Sequence, residues 1–83
     1  MPPIARKSPF EIAWEAFQAG FKRSAKGNLW RHYEGRTVCV FTRDDDYYGW
    51  SIAGNEGTRF SRGGYETEED ALASLGDALG VGY

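Results

Sequence analysis

A small α+β domain is predicted by three features of the sequence: an amphipathic helical period near each end, a period of two between them, and glycine or acidic punctuation at the changes of period. The reading is an N-terminal helix, an antiparallel meander of three or four strands, and a C-terminal helix packed on one sheet face. A chain of 83 residues has room for one hydrophobic core, so 1–83 reads as a single domain.

Residues 1–7 contain two prolines and two bases without an apolar period and read as a flexible arm. The first helix is assigned to 8–26. Ser8 is placed as N-cap, Pro9 at the first helical position where its missing N–H costs nothing, and Glu11 at the third position of a capping box. Phe10, Ala13, Trp14, Phe17 and Phe21 recur at three- and four-residue steps and form an aromatic stripe that must be buried. Lys22, Arg23 and Lys26 fall in the last turns, where cations suit the negative end of the helix dipole, and Gly27-Asn28 supplies the stop.

The sheet is assigned to 29–62. Its segments are Leu29 to Tyr33, a tight turn at Glu34-Gly35, the β-branched run within Arg36 to Arg43, an acidic turn at Asp44 to Asp46, Tyr47 to Ala53, a glycine-rich loop at Gly54 to Gly57, and Thr58 to Arg62. Short strands joined by short loops pair as an antiparallel meander. The second helix, 67–79, opens on Thr67 as N-cap with Glu68, Glu69 and Asp70 in its first turn, buries Ala71, Leu72, Leu75, Ala78 and Leu79, and stops at Gly80.

Alternation places Val38, Val40, Tyr48, Trp50, Ile52 and Phe60 on the face that meets the C-terminal helix. The opposite face then carries Thr37, Cys39, Phe41, Arg43, Tyr47, Ser51, Arg59 and Ser61. Because unpaired charges rarely stay buried, Arg43 and Arg59 make this face a wet contact surface or the rim beneath the N-terminal helix.

The segment Tyr48-Gly49-Trp50-Ser51-Ile52-Ala53, then Thr58-Arg59-Phe60, then Gly64-Tyr65-Glu66-Thr67-Glu68-Glu69-Asp70-Ala71, resembles the three-stranded-sheet-plus-helix DNA-binding modules of AP2-type transcription factors and tyrosine-recombinase arm domains. The resemblance covers Arg36 to Leu79. It implies DNA contact from the exposed sheet face, through Arg43 and Arg59 first and Arg36, Tyr47 and Ser61 second. The sheet carries fewer bases than those modules, and Asp44 to Asp46 set three negative charges beside the expected phosphate path.

Charge is distributed unevenly around a net of −2: all ten Lys and Arg precede Gly63, while the last twenty-one residues hold five acids and no base. The leading expectation is nucleic-acid binding through Arg43, Arg59 and Arg36, with Lys22, Arg23, Lys26, Arg6 and Lys7 as phosphate contacts. The alternative is a protein-interaction or homodimerisation module working through Phe10, Trp14, Phe17 and Phe21.

Catalysis is not expected, since the carboxylate clusters fall at a turn tip and a helix start, and His32 has no nucleophile-and-acid constellation around it. No cofactor motif is present. One cysteine, Cys39, allows no intrachain disulfide, and His32 with Cys39 is too few soft ligands for a metal. With no signal-like or membrane-spanning apolar run, the expected setting is the cytoplasm without a membrane partner.

Overall fold

The computed structural model describes residues 8–82. Helix α1, Pro9–Ala19, starts as its sequence dictates: Ser8 is extended and its hydroxyl accepts from the Glu11 amide at 3.2 Å, with Pro9 in the first turn. It ends seven residues before the expected Lys26. Gly20 caps it, and Lys22–Arg23 forms a two-residue strand, β1. The cation at the helix C-terminus comes from elsewhere in the chain: Arg31 Nη1 donates to the carbonyls of Phe17 at 2.7 Å and Ala16 at 3.3 Å. A Cβ on Gly20 would lie 2.6 Å from the Arg31 guanidinium carbon, so the bare glycine is what lets this side chain in.

The sheet has five strands, one or two more than the sequence pattern predicts, in the order β1, β2 (Leu29–Tyr33), β3 (Arg36–Thr42), β4 (Tyr48–Gly54) and β5 (Gly57–Phe60), each antiparallel to its neighbour. Glu34 and Gly35 both have positive φ, 48° and 77°, which is the two-residue turn that matches the strand twist. Helix α2, Glu68–Leu79, is capped by Thr67, whose hydroxyl accepts from the Asp70 amide at 3.1 Å, and by Gly80 in the left-handed region at φ 70°.

Both helices lie on the same side of the sheet. Phe17, Val38, Val40, Trp50, Ile52, Ala71, Leu75 and Val81 form the buried core. Phe17 is ringed by Trp14, Phe21 and Tyr33 at centroid distances of 5.6, 5.1 and 5.1 Å. Trp14 also covers Gly76, where an added Cβ would meet the indole at 2.4 Å, so α1 and α2 touch through a bare position. Most of the aromatic stripe proposed as a protein interface therefore belongs to the interior: Phe17 is 2% exposed, Trp14 and Phe21 are half-buried, and Phe10, 41% exposed, lies against Gly82.

The polar groups in this layer are partnered. Trp50 Nε1–H donates to the Ser74 hydroxyl at 3.0 Å, and the Tyr65 hydroxyl shares a 2.5 Å hydrogen bond with the same oxygen. Tyr48 and Tyr65 exchange two backbone hydrogen bonds of 2.8 Å, which tie the connector before α2 to the sheet. Arg23 grips Glu68 through Nη1 and Nη2, both at 2.8 Å, joining β1 to the first turn of α2. No helix of the described residues is long and apolar enough to cross a membrane.

Candidate functional site

With α1 and α2 on one side, the pairing register defines what the other side presents. One cross-strand row runs Lys22, Trp30, Cys39, Ser51 and Phe60, one residue from each of the five strands. The adjacent row holds His32, Thr37, Ala53 and Thr58, and on the other flank Phe41 faces Gly49. Nothing among the described residues packs over these positions as a layer.

Two ring pairs form on this face. Trp30 and His32 meet edge to face at 5.5 Å, with the His32 Nδ1 3.1 Å from the Thr37 hydroxyl. Phe41 and Phe60 meet edge to face at 6.4 Å across β4. Phe60 is 61% exposed and Tyr47 46%. Three interstrand steps of about 4.8 Å set the Trp30 and Phe60 backbones about 14 Å apart. Cys39 sits between them, half-buried, and that burial pushes its thiol above the ordinary range, which makes it a weak nucleophile.

The register corrects two expected positions. Asn55-Glu56 is a two-residue hairpin loop that pairs Gly54 with Gly57, and this sets Arg59 opposite Ile52 and Phe60 opposite Ser51. Arg59 thus projects to the helix side, its guanidinium 5.6 Å from the centre of the Trp50 ring, and Phe60 takes the open face. Alternation along the sequence predicts the two the other way round; the two-residue length of the Asn55-Glu56 loop fixes the opposite phase.

The remaining basic candidates divide by what they touch. Lys22 is exposed and on the open face, at the head of the first row. Arg43 is on that face too, its stem across Gly49, and its guanidinium is paired with Asp45 at 3.2 Å. Arg23 is committed to Glu68, whose carboxylate raises its pKa above the ordinary value through hydrogen bonding, and also donates to the Gly27 carbonyl at 2.9 Å. Arg36 leaves on the helix side, in the register of Tyr33, while Lys26 lies in the turn between β1 and β2. Arg6 and Lys7 lie outside the described residues. Phe60, which with Trp30 dominates the open face, is the site residue that the sequence reading misses; the signal that finds it is the two-residue spacing of the Asn55-Glu56 turn.

Charge separates by layer. The strands contain Lys22, Arg23, Arg31, Arg36 and Arg59 and no acid, whereas the helices contain Glu11, Glu15, Glu68, Glu69, Asp70 and Asp77 and no base. Every other acid is in a turn or connector. Among the described residues no group of three or more His, Cys, Asp or Glu converges in a way that could hold a metal. Comparison with protein-family models, with curated proteins and with solved structures finds no match to this chain.

Proposed function

We propose that this is a non-catalytic binding domain that takes single-stranded nucleic acid on its open sheet face. The observation that carries the reading is the row Lys22, Trp30, Cys39, Ser51, Phe60: aromatic rings flanking small and hydroxyl side chains, a cation at one end, and no carboxylate at any strand position. Bases present a π-face to such rings whatever their sequence, and Ser, Thr and His side chains between the rings offer hydrogen bonds to base edges. A flat face of this kind suits unpaired bases better than a duplex, whose grooves require a protruding ribbon or helix. Phosphate contact on this face falls to Lys22, because Arg43 is paired with Asp45, so electrostatics has a smaller part than in a basic groove.

Each stacked base contributes about 1–3 kcal/mol, which with few ionic contacts gives dissociation constants of about micromolar or weaker. Fluorescence anisotropy with labelled oligothymidine and oligoadenosine tests this. Wild-type protein is expected to bind single strands in preference to duplex, and Trp30→Ala and Phe60→Ala are each expected to weaken binding about tenfold or more while leaving the far-UV spectrum unchanged. Absence of binding at low salt, or binding indifferent to both substitutions, refutes the proposal.

Self-association through the same face is the second reading, favoured by the exposure of Phe60 beside Phe41. Sedimentation of the free protein separates the two: a dimer lost in Phe60→Ala, with no oligonucleotide binding, would replace the first reading.

A further inference from the structure

We propose that Arg36 and Arg59 form a phosphate-binding notch behind the β5 edge, into which a nucleic-acid strand lying on the open face turns its backbone; the inference rests on the nucleic-acid reading above. A cavity of about 620 Å³ lies on the helix side of the sheet at the end where α2 runs out, with Ala78 at its margin. Its floor is the β4–β5 hairpin, and at Gly54 and Gly57 that floor has no side chains. Gly57 has φ 119°, a conformation that keeps the position bare.

Two guanidinium-bearing side chains border this floor. The Arg36 stem lies over Gly54, 3.4 Å from where a Cβ would be, and so leans from β3 across β4. Arg59, on β5, rests against the Trp50 ring, which holds its planar fork without using its donors. Both are exposed, and neither has a carboxylate of the described residues within ion-pair distance, in contrast with Arg23 and Arg43, which are paired. Two free forks beside an uncovered backbone fit the tetrahedral oxygens of a phosphate diester.

The edge strand links this notch to the open face. Among the described residues β5 ends the sheet, and its successive residues Arg59 and Phe60 point to opposite sides. A strand stacked on Phe60 has only the thickness of one β-strand to cross before its next phosphate reaches Arg59. Glu34 and Glu56, in the two turns that line the cavity, oppose an anion there and limit the gain. Their removal is therefore informative: Glu56→Gln should tighten binding of strands long enough to reach the notch.

The test compares a tetranucleotide with a dodecanucleotide on the intact protein and on the double variant Arg36→Gln/Arg59→Gln. The double variant should weaken the dodecanucleotide about tenfold, lower the slope of log K against log salt by about 1.4, and leave the tetranucleotide unaffected. Arg36→Lys/Arg59→Lys should restore most of the slope. Equal loss with both lengths, or no loss with either, overturns the notch while leaving the stacking reading in place. Failure of wild type to bind either oligonucleotide overturns both. A parallel titration with inorganic pyrophosphate, read on the arginine Nε–H resonances, supports the notch if Arg36 and Arg59 shift together. If they shift while oligonucleotide affinity is indifferent to the double variant, the cavity is a small-anion site and the wrapped path is wrong.

Discussion

Arg31 shows how a charged residue enters a small core without a carboxylate. Its strand position, opposite Val38, points it under α1. There it donates to two carbonyls at the end of α1 and to the His32 carbonyl at 2.9 Å, with its guanidinium carbon 5.4 and 5.3 Å from the Phe17 and Tyr33 ring centres. Arg31→Met keeps the apolar stem and removes the donors, and should cost about 2–3 kcal/mol in urea unfolding. Gly20→Ala attacks the same clamp from the opposite side, so the double variant should cost clearly less than the sum of the two single changes. Strict additivity would mean that Arg31 does not hold the end of α1. Ser74 is a second such position, since it partners both Trp50 and Tyr65. Ser74→Ala should destabilise by about 1–2 kcal/mol and Tyr65→Phe by less, because in the latter Trp50 keeps its acceptor; equal effects would contradict this division.

The helices and hairpins differ in how much of their form is local. Ser8, Thr67 and Gly80 act as caps where the sequence puts them, and the two-residue turn at Glu34-Gly35 falls where expected, because caps and turns are decided by neighbours in sequence. The end of α1 was illegible: the aromatic spacing continues to Phe21, but the Arg31 clamp and the pairing of Lys22–Arg23 with Leu29–Trp30 stop the helix at Ala19. Long-range contacts overrode a local period. The open face was legible in part. Thr37, Cys39, Phe41 and Ser51 follow from alternation within β3 and β4, whereas the phase of β5 required knowing that Asn55-Glu56 forms the whole loop. The β2–β3 turn also carries a correctable cost, since Glu34 occupies φ 48°. Glu34→Asn creates an Asn-Gly turn and should stabilise the protein by about 0.5–1 kcal/mol in thermal or urea unfolding. A destabilised variant would imply that the Glu34 side chain contributes more than its backbone strain costs.

The molecule is two layers with different chemistry. One is a helical layer that is acidic on its outside and seals the apolar side of the sheet; the other is the sheet itself, free of acids along its strands and uncovered on its second side among the described residues. A single sheet half-covered in this way leaves large rings in water at Phe60 and Tyr47, an arrangement that lowers solubility unless a ligand uses it. The near-zero net charge disguises this polarity, because the helix acids offset the strand bases in the sum. The acidic turn Asp44 to Asp46 borders the same face and pairs with Arg43 through Asp45, so a bound phosphate chain is expected to keep towards Lys22 and the β5 edge. The most direct measurement of the central claim is a map of backbone amide and indole shifts in ¹⁵N-labelled protein titrated with a single-stranded tetranucleotide at low salt. Saturable shifts are expected at the Trp30 indole and at Thr37, Cys39, Phe41, Ser51 and Phe60, with α1 and α2 silent. Shifts confined to the helices, or none at concentrations well above a millimolar dissociation constant, would contradict it.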